Sequence, residues 1–105
     1  MNRVVIVVRE IRGNCPVFKV GDRMVFDGAA LNMDLTDAYC VWAAQSFTPF
    51  LISARRLVPP SELGLAREGL KYLVQCLDPG PPLTDGGTVV FEMHAETSDS
   101  DTVVH

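Results

Sequence analysis

The chain has 105 residues, 48% of them hydrophobic and 21% charged, with a formal net charge of -4 at pH 7. That length is enough for one domain with a real core, and the composition is that of an ordinary globular protein. The acidic balance argues against nucleic acid, whose phosphates need a basic face, and no apolar run approaches the roughly twenty residues of a membrane span.

Residues 3–11, RVVIVVREI, read as a strand. The near-continuous Val/Ile run suits a central strand covered on both faces. Gly13-Asn14 marks a turn, and Pro16 holds Cys15 in an extended conformation. Gly21-Asp22 leads into a second strand over 23–26, with Met24 and Phe26 inward and Asp27-Gly28 closing it. Residues 29–35 read as a connection.

The segment 36–56, TDAYCVWAAQSFTPFLISARR, carries the longest helical period. Cys40, Ala43, Ala44, Phe47, Phe50, Leu51 and Ala54 fall on one stripe at 100° per residue. Thr36 is expected as N-cap, with Asp37 on the positive end of the helix dipole. Pro49 cannot donate to residue 45, so a kink or break is expected there. Trp42 lies off the stripe and reads as an interface anchor. Arg55-Arg56 is a surface basic pair. After Pro59-Pro60, Ser61 is expected to cap a short helical turn with Leu63 and Leu65 packing down.

Residues 70–77 alternate as a strand, with Leu70, Tyr72, Val74 and Cys76 on one face. DPGPPLTDGG, 78–87, is a stiff turn-rich loop. Residues 88–95 form the last strand, with Val89, Phe91, Met93 and Ala95 on one face and Glu92 and His94 on the other. A mobile acidic tail is expected over 96–105. The expected fold is therefore α+β: one main helix packed on a mostly antiparallel sheet of about four strands, in a single domain over 1–95. The sheet face away from the helix needs cover, which points to a homo-oligomer.

The three cysteines, at 15, 40 and 76, are odd in number and widely spaced. That pattern fits free thiols in a reducing, cytoplasmic setting, and VVIVV is too short for a signal peptide. No CxxC or HxxxH spacing supports zinc, so neither a metal nor a nucleotide cofactor is expected. Cys40 is the sharpest candidate, because oriented N–H groups at a helix start favour the thiolate. Its bland reading is a small apolar residue in a helix stripe. Asp22 and Asp78 are the acid/base candidates; both also suit turns for local hydrogen-bonding reasons. Cys15, Phe18, Cys76 and Phe47 are expected around a substrate. Glu92 and His94 could pair to orient an imidazole. Asp85-Gly86-Gly87 is a weak phosphate-cradle signal, since a strand follows it rather than a helix.

GNCPVFKVGD at 13–22, the helix-borne Cys40 and QCLDPGPPLTDGGTVVFE at 75–92 together resemble a family of small prokaryotic proteins of about this length. That family carries Gly-x-Cys-Pro…Val-Gly-Asp, a mid-chain cysteine and a Cys-x-Asp-Pro…Val-x-Phe-Glu ending. The resemblance covers residues 3 to about 95 and implies that Cys15, Cys40, Cys76, Asp22, Asp78 and Gly87 hold motif positions. It implies no particular activity. Such relatives often have histidine two residues after the mid-chain cysteine; Trp42 stands there in this chain, so a Cys/His pair does not carry over.

The functional expectation is a small oligomeric enzyme acting on a small organic substrate by lyase, isomerase or cyclase chemistry. Its pocket would lie between the helix, the 13–22 loop and the 78–87 loop. Two alternatives stand beside it: a metal-binding or redox protein built on the three thiols, and a non-catalytic accessory subunit.

Overall fold

Inward-facing apolar residues of four strands build one apolar sheet face, and the middle of the chain folds across it. The computed structural model describes residues 2–97. β1 (Arg3–Gly13), β2 (Arg23–Asp27), β3 (Ala30–Leu31), β4 (Tyr72–Gln75) and β5 (Gly87–Glu96) form a sheet in the order β3-β2-β1-β5-β4. Every pairing is antiparallel, and β1 is the central strand, as its Val/Ile run requires. The fold is α+β as expected, with five strands rather than four.

The register shows why one face becomes core. Val4 pairs with Phe26 and Ile6 with Met24 on one side of β1; on the other, Ile6 pairs with Met93 and Val8 with Phe91. Tyr72 and Val74 continue the same face opposite Met93 and Phe91. All of these side chains are buried in one cluster. In β1 the apolar step then changes from two residues to three, from Val8 to Ile11. There the β1–β5 register shifts between Val8 and Glu10, which returns Ile11 to the core side opposite Val89.

β3 falls within the stretch expected to be a connection. It is two residues long and forms a hairpin with β2 around Gly28, whose φ of 64° suits a tight turn. Beyond it the chain runs along the outer edge of β2. Asn32 N–H donates to the Val25 carbonyl, and Asp37 N–H to that of Arg23. This corrects the expected helix start. Thr36 Oγ1 accepts from Val25 N–H at 3.1 Å and donates to the Asn32 carbonyl at 2.6 Å, and Asp37 Oδ2 accepts from Arg23 N–H at 2.9 Å. Both side chains serve the sheet edge, not the helix.

The helical segment runs as α1 (Val41–Phe47), a 3-10 turn over Thr48–Phe50 and α2 (Leu51–Arg55). The break lies at Pro49, as expected. Ala43, Ala44, Phe47 and Ala54 are buried, while Cys40, Phe50 and Leu51 pack against the core from its margin. Phe47 is fully buried between Phe91 and Phe26, with ring centroids 5.7 and 6.1 Å away. A 3-10 turn over Pro60–Leu63 has no side-chain cap, so Ser61 does not play the expected part. Leu65 packs against the core, whereas Leu63 and Leu70 are exposed. Tyr72 is buried with its hydroxyl donating to the Val58 carbonyl at 2.7 Å.

On the opposite sheet face, Glu92 pairs with Arg9 at 2.8 Å and with Lys71 at 3.8 Å. The expected Glu92–His94 pair is not formed, and His94 Nδ1 is buried without a partner. Glu96, expected in the tail, closes β5 opposite Arg3. The mobile tail expected from there lies outside the described residues from 98 onward. No helix among the described residues is long and apolar enough to cross a membrane.

Candidate functional site

At the end of the sheet where β1 finishes and β5 begins, three separate stretches of chain meet around a cavity of about 490 Å³. The first is the turn after β1, which supplies Cys15, Pro16, Val17 and Phe18. The second is the start of the helical segment, with Cys40, Trp42 and Ala43. The third is the end of β4 and start of β5: Cys76, Leu77, Asp78, Gly87 and Val89. All three cysteines therefore stand on one wall, each half-buried and free.

Two glycines permit this convergence. Gly13 pairs with Gly87 across β1 and β5. A Cβ built on Gly87 would lie 2.8 Å from Asn14 N, and one built on Gly13 would lie 2.7 Å from the Gly86 carbonyl oxygen. Only a bare backbone lets the Asn14–Cys15 turn fold back this tightly.

The three sulfurs have different surroundings. Cys76 continues the β4–β5 ladder, its N–H donating to the Val89 carbonyl at 2.9 Å. Its Sγ accepts from Val89 N–H at 3.2 Å and faces the Gly87 carbonyl at 3.6 Å. Cys15 Sγ accepts a weak bond from Phe18 N–H at 3.4 Å, which curls the 15–18 turn. Cys40 occupies the N-cap position of α1 in extended conformation, and its carbonyl accepts from Ala44 N–H. Its sulfur makes no capping bond, and the helix it precedes has only seven residues. The oriented N–H contact expected to favour a thiolate at Cys40 is therefore not made. Cys40 lines the cavity with its sulfur uncommitted to the helix start.

Asp78 also lines this cavity. Its Oδ1 accepts from Gly80 N–H at 2.8 Å and, in a very short bond, from the Thr84 hydroxyl; Oδ2 takes neither. These two donors, Thr84 first, hold its carboxyl below the ordinary aspartate range. Asp78 is thus an ionised acceptor and a poor proton-abstracting base near neutral pH. Its backbone carbonyl accepts from the Thr88 hydroxyl at 2.6 Å, tying the loop to β5.

The other acid/base candidate stands elsewhere. Asp22 is buried outside the cavity wall, with Oδ2 accepting from Lys19 N–H at 2.9 Å and Oδ1 3.6 Å from Lys19 Nζ. Its carboxylate closes its own turn, which β1 holds through bonds between Val8 and residues 21–22. Phe47, expected at the substrate, sits in the core and not on the wall, because the helix stripe turns it onto Phe91. Phe18 is buried against Phe91, edge to face at 5.4 Å, and forms part of the cavity lining.

Trp42 is the lining residue that the sequence reading placed elsewhere. It is 74% exposed and flanks the cavity. On a helical wheel it lies far from Cys40, but at a helix start two residues so spaced can both border the space beyond the helix end. Val17 and Leu77, next in sequence to Cys15 and Cys76, are exposed lining residues too. Among the described residues, no group of three or more His, Cys, Asp or Glu side chains is placed to hold a metal ion. The three thiols share a wall without forming a ligand set.

Comparison with family models, curated proteins and solved structures finds no match for this chain. The family resemblance rests on its sequence motifs.

Proposed function

We propose that the chain binds a small, largely apolar organic molecule in the thiol-lined cavity and acts on it as an enzyme without a nucleotide cofactor. The observation that carries this reading is the convergence of Cys15, Cys40 and Cys76, from three distant parts of the sequence, on one cavity of about 490 Å³. That volume lies in the range of small-molecule sites, and the wall has their usual make-up: apolar and aromatic side chains with a few polar groups. Cys40 is the substrate-contacting thiol, because its sulfur is not committed to backbone. Lyase, isomerase or cyclase chemistry fits such a wall, with Asp78 providing fixed negative charge rather than a base. The homo-oligomer belongs to the same reading. Trp42 and its neighbour Val41 are exposed beside the cavity and offer an apolar contact for a second copy.

The test is a screen of small apolar compounds by thermal shift, with Val17→Trp as the blocking variant. Val17 is an exposed lining residue, so the larger ring fills the mouth without entering the core. Hits should raise the Tm of the native chain and leave that of Val17→Trp unmoved. Cys40→Ser should keep binding and lose turnover of any hit that is a substrate. Equal shifts in both proteins would place binding elsewhere and end this reading.

A further inference from the structure

The rim of the cavity is itself a surface. Val17, Trp42 and Leu77 line the cavity and are also exposed, and Val41 beside Trp42 is exposed as well. They come from three separate stretches of chain, so the fold assembles this apolar patch. We infer that two copies of the chain meet here about a two-fold axis, with Trp42 of each copy seated in the cavity of the other; this rests on the cavity of the reading above and names the partner that shares it.

Three features favour a second copy as the occupant. A two-fold contact sets one patch against itself, so the patch must supply both a projection and the recess that receives it. Here they are neighbours. Trp42 is the most exposed of the three rim residues, and the recess it flanks, at about 490 Å³, lies in the range that holds molecules larger than an indole ring. Charge points the same way. Each copy carries a net charge of -4, so a face where two copies meet must be poor in charge. Asp78 is the one charged lining residue among those described, and its carboxylate is engaged by its own loop: Oδ1 by Gly80 and Thr84, with Oδ2 against Gly86. The third feature is the residue type. A tryptophan entering an apolar recess is the usual form of an interface anchor. An indole seated there takes up space that a small molecule needs, so cavity ligands and dimer formation oppose each other.

Analytical ultracentrifugation over a range of concentrations tests this on the native chain, Trp42→Ala and Val17→Trp, at physiological ionic strength. Both substitutions fall on exposed side chains, and circular dichroism checks that each variant is folded. The native chain is expected to dimerise, with emission from Trp42, its only tryptophan, moving to shorter wavelength as it does. Trp42→Ala should raise the dimer dissociation constant at least roughly thirtyfold, the loss expected for truncating an anchor residue. Val17→Trp separates the recess from the patch. It adds apolar surface to the rim but fills the mouth, so it should weaken association as well. Free indole, the competing probe, should dissociate the native dimer. A native chain that stays monomeric, a Trp42→Ala dimer as tight as the native one, a dimer untouched by indole, or tighter association of Val17→Trp would each overturn the inference. The two readings fail separately. A monomer whose Tm still rises with screened compounds overturns this inference alone, and a dimer with the expected properties whose cavity turns over no compound ends only the enzymatic reading.

Discussion

Asp78 shows how one residue can be both turn former and site residue. The sequence offers an aspartate before Pro79-Gly80, which suits a turn for local reasons, and the structure confirms that use through Gly80 and Thr84. The same bonds set its acid behaviour. A carboxyl held below its unfolded value contributes stability that is complete above the ordinary aspartate range and lost as pH falls through the lowered value. Tm measured from pH 6 down to pH 2 should therefore decline less steeply for Asp78→Asn than for the native chain. Part of the acid slope must persist in that variant. Asp27, lowered by Asn32 and Arg3, and Glu10, lowered by Arg12, titrate in the same window. Gly86 and Gly87 serve the same corner sterically. A Cβ on Gly86 would fall on the Asp78 carboxylate, and one on Gly87 would press Asn14 backbone at 2.8 Å. Gly87→Ala should cost about 1–3 kcal/mol in denaturant unfolding, because backbone must shift to admit the methyl. Gly86→Ala should cost less, since a side-chain carboxylate can swing aside, but it should also perturb the Asp78 loop. Glycine is common in loops, so the sequence announces flexibility at 86–87; the contact that demands it involves residues 8 and 73 positions away.

At the scale of elements, the strand faces were legible because alternation is a local signal that tertiary packing does not overturn. Tyr72, Val74, Val89, Phe91 and Met93 all face the core as their spacing predicts. The helix stripe was legible for the same reason, and the break at Pro49 follows from a missing N–H. The helix start was not legible. Thr36 and Asp37 can satisfy N–H groups of a helix or of a sheet edge, and their own sequence does not say which. They were claimed by Val25 and Arg23, twelve or so residues earlier, once β3 proved too short to cover the β2 edge. Two substitutions test this level. Phe47 is fully buried and touches aromatic rings from two strands and a loop, Phe26, Tyr39 and Phe91. Phe47→Ala should destabilise by about 3–5 kcal/mol in chemical denaturation, the range for deleting a buried ring. Leu57 follows α2 with a φ of 61°, the left-handed position that glycine normally fills at a helix end. Its side chain is exposed, so Leu57→Gly should be stabilising by about 0.5–1 kcal/mol, read as a rise in Tm.

For the whole molecule, the sheet order places the ends of β1, β4 and β5 together, and the chain between β2 and β4 brings the start of α1 to the same corner. That is why cysteines 25 and 36 positions apart in sequence come to share a cavity. The sequence named all three sulfurs, Phe18 and Asp78 and expected a pocket between the helix, the 13–22 loop and the 78–87 loop, though no local spacing encodes how closely those segments meet. It also proposed Asp22 and Phe47, which have strong local roles in a turn and a core that exclude them from the wall. The shared wall is the account's central claim, and thiol modification tests it directly. Native chain is treated with excess N-phenylmaleimide, a reagent bulky enough to occupy much of the cavity, and intact mass is followed over time. One adduct per chain should form and then protect the remaining sulfurs, with three adducts appearing only after denaturation. Three adducts accumulating independently on the folded chain, or none at all, would contradict it.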